Sequence, residues 1–242
     1  MSFETVLKAA QDGDPDAQKA MGYLFFRGDG VMQDRREAAR WFGLAADQGD
    51  AEAMCNLGYI KAHGCGVSGD IPGAMGLYER AAELGYPQAM FNLGFMYSDV
   101  EDVEQDWEKA RYWYGRAADA GSVLALYRLG VIYLEGRGVD RDPARAAGCF
   151  EEAYGAGYGK AGVRLADMMI EGDGTPRSPK RAVSILSKEA DAGSEEAMLR
   201  LGMLSLSGEG MARSEKNAMK WLRKAAARGS EEARRMLEEM DA

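Results

Sequence analysis

Apolar residues recur along the chain at helical spacing, in short runs closed by glycine. Between residues 51 and 62 they fall at Ala53, Leu57 and Ile60, on one face of a helix. The segment Gly64-Cys65-Gly66-Val67 breaks that run, because glycine accepts the left-handed backbone a helix exit needs. Asp70 is placed to cap a second helix, whose apolar face is Ala74, Leu77, Tyr78, Ala81 and Ala82 before Gly85 ends it. The pattern predicts two helices and two turns, then repeats.

The repetition fixes the architecture. Gly-x-x-x-Ala occurs at Gly13/Ala17, Gly49/Ala53, Gly85/Ala89, Gly121/Ala125, Gly157/Ala161, Gly193/Ala197 and Gly229/Ala233, always 36 residues apart. A second ladder runs Gly22, Gly58, Gly94, Gly130 and Gly202, with Ala166 in its fifth place, and a third runs from Ala38 through Ala74, Ala110, Ala146 and Ala182 to Ala218. A fourth is bulky: Trp41, Leu77, Trp113, Ile185 and Trp221, interrupted by Cys149, and is expected in the core. Six repeats are expected at 14–49, 50–85, 86–121, 122–157, 158–193 and 194–229. Residues 1–13 and 230–242 read as half-repeat cap helices. With no Pro/Ser-rich linker, residues 1–242 are expected to form a single domain. The fold class is all-α, an α-solenoid of stacked helix pairs.

Charge narrows the partners. The chain carries 30 basic and 39 acidic residues, net −9. That balance disfavours nucleic acid and anionic membrane surfaces, which both recruit Lys and Arg. The acidic excess lies wholly in the first half: residues 1–121 hold 11 basic and 20 acidic side chains, and residues 122–242 hold 19 of each. No apolar run is long enough to span a bilayer, and the N-terminus lacks a signal-peptide pattern, so a cytoplasmic protein is expected. Cys55, Cys65 and Cys149 are odd in number and irregularly spaced, so no disulfides are expected.

The repeat resembles the Sel1-like repeat family, a relative of the tetratricopeptide repeat. The matching residues are Ala125, Leu129-Gly130, Tyr133, Gly136-Arg137-Gly138-Val139, Asp142 and Ala146, in the order the family pattern has them. The resemblance covers essentially the whole chain. It implies a right-handed superhelix with a concave groove lined by the first helix of each repeat, and a role as an adaptor. The regular cysteine pairs of the family's secreted, disulfide-rich members are missing. Repeat three departs from the pattern, with Ser98-Asp99-Val100-Glu101-Asp102-Val103 in place of Gly-x-Gly. Glu189 and Tyr154 stand where other repeats have alanine. Local irregularity is expected at all three places.

Candidate chemistry is sparse. The Gly-x-Gly loops follow helices rather than strands, so they read as turns and not phosphate cradles. His63 is the only histidine and sits in a turn with Cys65 two positions away, so a nucleophile–base–orienter set is absent and a hydrolase is not expected. The acidic run Asp99 to Asp106 does not match a calcium loop and reads as solvated, so no metal and no cofactor are expected.

The better lead comes from the groove that the resemblance implies. Tetratricopeptide-like proteins line it with the residues two before and one after the repeating glycine. These are Ala20, Asn56, Asn92, Arg128, Arg164 and Arg200, and then Tyr23, Tyr59, Phe95, Val131, Asp167 and Met203. Candidate binding residues are therefore Asn56, Asn92, Arg128, Arg164, Arg200, Tyr23, Tyr59 and Phe95. Asn amides suit a peptide backbone, Arg forks suit carboxylates, and the rings suit apolar side chains. Two plainer pairings are Arg200 with Glu196 and Arg164 with Asp167 on their own helices, whereas Arg128 has no acid three or four positions away. The expected function is a protein–protein interaction scaffold. Its partner is a protein or peptide, with acidic residues or a free C-terminus. Specialised alternatives are an immunity or regulatory protein that wraps one partner, and a host-directed bacterial effector.

Overall fold

The computed structural model describes residues 2–241; Met1 and Ala242, the extreme ends of the two expected caps, lie outside the described residues. Among the described residues the chain forms fourteen α-helices and no strand. It divides into two compact units, one up to Ala125 and one from Leu126. The first contains α1 (Phe3–Gln11), α2 (Pro15–Arg27), α3 (Arg35–Asp47), α4 (Ala51–Ala62), α5 (Ile71–Glu83), α6 (Pro87–Asp99) and α7 (Trp107–Asp119). The boundary falls in the first turn of α8 (Val123–Glu135). The second unit continues with α9 (Pro143–Gly155), α10 (Gly159–Glu171), α11 (Pro179–Asp191), α12 (Glu195–Ser207), α13 (Glu215–Ala227) and α14 (Glu231–Asp241). Packing partners are consecutive, α1 on α2 through α6 on α7 in the first unit and α9 on α10 through α13 on α14 in the second. This is the α-solenoid class, with α1 and α14 as half-repeats.

Most helices start where a side chain can accept their first amide protons; α6, α10 and α11 start without one. Asp14 and Asp50 cap α2 and α4, the first helices of their repeats. Asp34, Asp70, Asp106 and Asp142 cap the second helices α3, α5, α7 and α9, and Ser214 caps α13. The turn glycines do two jobs. Gly174 has φ +71°, and a Cβ there would lie 2.2 Å from the backbone of Pro143 in the preceding repeat. Gly210 meets Pro179 in the same way at 2.5 Å. In these repeats the second glycine of Gly-x-Gly is both a left-handed turn and a close approach between repeats, whereas Gly30 in the first repeat serves the turn alone.

The bulky core ladder lies one position beyond the one expected. Phe42, Tyr78, Tyr114, Phe150, Leu186 and Leu222 are all at most 2% exposed. Five of them lie against the glycine ladder: a Cβ on Gly22, Gly58, Gly94, Gly130 or Gly202 would come within 2.5 to 2.8 Å of Phe42, Tyr78, Tyr114, Phe150 or Leu222. In the expected ladder Trp41 and Ile185 are buried, but Trp113 and Trp221 are only half-buried. Arg116 lies over the Trp113 ring and Lys224 over that of Trp221. The repeat period phases both positions equally. The facing glycine decides which of them points straight into the neighbouring helix.

Of the three expected irregularities only one bends the backbone. At repeat three α6 ends without a glycine, Val100 is extended at φ −96°, and Gln105 Nε2 donates to the Ser98 carbonyl at 2.9 Å. Tyr154 and Glu189 leave α9 and α11 at the usual 13 residues. Volume is exchanged instead: the Tyr154 ring fills space over Gly162, which stands where other repeats have Met54, Met90 or Met198.

Candidate functional site

The candidate ladder positions lie on the even-numbered first helices, and successive repeats interlock through them. In the first unit the Tyr23 hydroxyl donates to Glu52 Oε1 at 2.7 Å and accepts from Asn56 Nδ2 at 2.8 Å. One turn earlier, Lys19 Nζ lies 2.7 Å from Asp50 Oδ2 and 3.3 Å from Glu52 Oε2. The bond to Asp50 holds the Lys19 ammonium well above the usual lysine range. Asp50 also caps α4 through the Ala53 amide at 2.7 Å, so the start of α4 is tied to α2. Burial, followed by the bond to Glu52, raises the Tyr23 hydroxyl above its ordinary value.

The asparagines turn out to be engaged within the fold. Asn92 donates to Cys55 Sγ at 3.4 Å and accepts from Gln88 Nε2 at 2.9 Å, using both ends of its amide. Asn56 spends its nitrogen on Tyr23 and keeps its carbonyl oxygen outside that bond. The rings are presented outward: Tyr59 is 43% and Phe95 36% exposed. Tyr59 lies 4.1 Å from the His63 ring and meets Phe26 edge-on at 6.2 Å. An open pocket of about 530 Å³ between α1 and α2 is lined by Phe3, Val6, Ala20, Tyr23, Leu24 and Arg27 among others.

In the second unit the ladder is charged. Arg200 Nε lies 3.0 Å from Asp167 Oδ1, on the preceding repeat. Among the described residues neither same-helix pairing, Arg200–Glu196 or Arg164–Asp167, forms an ion pair; Arg200 takes the carboxylate of the preceding repeat instead. Arg164 is exposed, and the neighbouring Tyr127 hydroxyl raises its guanidinium above its ordinary value. Arg128 is half-buried and has a partner of its own. Burial pushes the Asp167 carboxyl above its usual 3.8, with Arg200 pulling the other way. The Arg200 Nε is buried and its N–H finds no aligned acceptor despite the short distance. Asp167, Ile170, Arg200, Met203, Leu204 and Ser207 line an open pocket of about 320 Å³.

Tyr23–Asn56, Lys19–Glu52 and Asp167–Arg200 share one offset, 33 residues, which joins one first helix to the next. Lys19, Glu52 and Asp167 were missed as site residues by reading each ladder down the repeats; complementarity at that offset is the signal that finds them. Two of the three thiols are held in the protonated form by burial. His63 Nδ1 lies 2.9 Å from the Tyr59 carbonyl. Burial pushes the Cys55 thiol up to about 12 and raises that of Cys149, the opposite of nucleophile activation. The three cysteines are unpaired. Among the described residues no His/Cys/Asp/Glu group could hold a metal, and no helix is long and apolar enough to cross a membrane. Asp106, within the acidic run, caps α7 and pairs with Lys109 at 3.2 Å.

The Sel1 repeat matches residues 15–50, 51–86, 87–122, 123–158, 161–194 and 195–230. Among solved structures, a protective antigen of uropathogenic Escherichia coli with an SLR fold is 30% identical, with a TM-score of 0.89. That likeness covers 96% of this chain and 50% of the antigen, so the chain spans about half the antigen's length. A Sel1 repeat protein of Oxalobacter formigenes is 28% identical over 91% of this chain and 95% of its own, with a TM-score of 0.76. An immunity protein of Pseudomonas aeruginosa shares the fold at 20% identity and a TM-score of 0.52, over 88% of this chain and 81% of its own. No curated protein matches the chain by sequence.

Proposed function

Because this chain belongs to the Sel1 repeat family, whose members are typically non-catalytic scaffolds for protein interaction, we propose that it binds another polypeptide along the first-helix face of each unit. One observation carries this reading. In each unit an open pocket is built on ladder positions, Ala20 and Tyr23 in the first, Asp167, Arg200 and Met203 in the second. The ladder positions of each unit thus offer a subsite, which suits a bound chain that lies along the first helices.

The faces divide the work. Tyr59 and Phe95 take apolar side chains, and the open carbonyl of Asn56 accepts a backbone or side-chain N–H. Arg164, with Arg128 and Arg200, takes carboxylates, including those of a free C-terminus. Each shielded Arg–carboxylate contact contributes about 1.5–3 kcal/mol, and much less where water reaches it. An immunity role, in which one partner is bound and blocked, is one form of this proposal. A cytoplasmic place of action is part of it, supported by the absence of the secreted members' cysteine pairs. The experiment is titration calorimetry with the polypeptide that co-purifies from the native source. A folded Tyr59→Ala/Arg164→Ala variant should bind at least tenfold more weakly, about 1.4 kcal/mol. Unchanged affinity at low salt removes the first-helix face from consideration.

A further inference from the structure

Glu189 occupies the position held by Ala45, Ala81, Ala117, Ala153 and Ala225 in the other repeats. It is only 8% exposed, and it is the one carboxylate buried to this degree among the described residues. A buried glutamate is ordinarily paired, since desolvating a carboxylate without compensation is costly. Among the described residues Glu189 makes no hydrogen bond and no ion pair. Its nearest neighbour is Gly159 at the start of α10, where a Cβ would lie 2.1 Å from Glu189 Oε2. Gly159 is itself a departure: the same place elsewhere holds Pro15, Ala51, Pro87, Val123 and Glu195. The glycine makes room for the carboxylate, so the two departures form one device.

The device opens onto a pocket of about 470 Å³ lined by Glu189, Lys160, Ser194, Glu195 and Glu196 among others. It is formed by the first turns of α10 and α12 and the end of α11. Carboxylates outnumber cations in this lining. Lys160 forms no ion pair with any of them, and the Arg228 guanidinium instead packs over Gly193. The Glu189 oxygens are not among the buried atoms left without a partner, so they reach solvent through the pocket; a carboxylate set in a pocket wall with no protein cation on it suits a cation with N–H donors. We propose that this pocket is a binding subsite for an alkylammonium group, with Glu189 as its counter-ion. The ammonium comes from a lysine side chain of a bound polypeptide or from a free small amine. This goes beyond the ladder reading and stands if that reading fails.

The test uses the full chain and two probes, n-butylamine and the blocked tripeptide acetyl-Ala-Lys-Ala-amide, followed through the backbone amide signals of Gly159, Gly193 and Ser194. Saturable shifts are expected, with affinity at least tenfold lower in Glu189→Gln and Glu189→Ala. A tighter peptide identifies the side-chain source, and equal affinities identify the free amine. Glu189→Ala restores the residue of the other repeats, so it is expected to fold and to melt above the wild type once the unpaired charge is gone. Absent shifts, or shifts of equal affinity in the variants, overturn the proposal. So does a lower melting temperature in both variants, which would make Glu189 a structural cap for α10.

Discussion

The two units close the same turn with different side chains. In the first, Gln33 Nε2 donates to the Phe26 carbonyl at 2.8 Å and Gln105 Nε2 to that of Ser98 at 2.9 Å. In the second, Arg141 Nε and Arg177 Nε bind the carbonyls of Leu134 and Ile170, both at 2.9 Å. Each carbonyl lies seven residues back, at the open end of a first helix, where an acceptor is otherwise unsatisfied. The turn accepts either donor at this position, and Gly69 in the second repeat closes it with no side-chain donor at all. Arginine adds reach: Arg141 also pairs with Asp173, and Arg177 with Glu209, in the next repeat. The ladder faces differ in the same sense. A neutral Tyr23–Asn56 bond in the first unit corresponds to the Asp167–Arg200 ion pair in the second. The first unit carries the entire acidic excess and the second balances its charges. One backbone geometry supports two electrostatic designs, and the glycine-backed core is what they share.

The shared core gives the largest expected effect. Phe42→Ala and Phe150→Ala, one from each unit, should each cost about 3–5 kcal/mol in urea unfolding. Trp113→Ala should cost clearly less, because its ring is half in water. A Trp113→Ala loss as large as that of Phe150→Ala would return the core to the tryptophan ladder. Next comes the ladder contact. Arg200→Ala leaves the half-buried Asp167 without a countercharge and should cost about 1–3 kcal/mol, against about 0.5–1.5 for Asn56→Ala. Equal losses would mean that the ionic version of the contact behaves like the neutral one.

The same aspartate gives a pH signature. In the folded chain the Asp167 carboxyl is held above its usual 3.8, so the folded state binds this proton more tightly than the unfolded one. Its contribution to stability therefore falls as pH rises from that usual value through the elevated one. Asp167→Asn should flatten that part of a urea-midpoint against pH curve, while Tyr23→Phe leaves it unchanged. The smallest effect is expected at the turns. Arg177→Gln keeps a donor for the Ile170 carbonyl but loses the pair with Glu209. That exposed pair should be worth about 0.2–1 kcal/mol at low salt and close to nothing at high salt.

The periodicity made the helices, their order and their turns legible, because 36-residue ladders of glycine and alanine admit little else. It placed the bulky core one residue early. Trp41 and Phe42 recur with the same period, and only the partner glycine on the facing helix separates them. The candidate face was legible as a set of positions, but not in its bonding. Asn56 and Asn92 look like donors waiting for a peptide when read down one ladder. Across ladders, at an offset of 33 residues, Tyr23 and Asp167 reveal themselves as partners inside the fold. Glu189 was visible as a departure, but its relation to Gly159 depends on how the start of α10 meets the end of α11 within one repeat, which the ladders do not show.

The central claim is that first-helix positions hold a polypeptide, and site-specific photo-crosslinking tests it most directly. A photoreactive amino acid is placed at position 59, 95 or 164 on first helices, and at position 44 or 112 on second helices, where Leu44 and Tyr112 are equally exposed apolar controls. Illumination in the presence of the native partner should join that partner covalently to positions 59, 95 and 164 and leave 44 and 112 unmodified. Crosslinks confined to positions 44 and 112 would contradict the account and move the binding surface to the second helices.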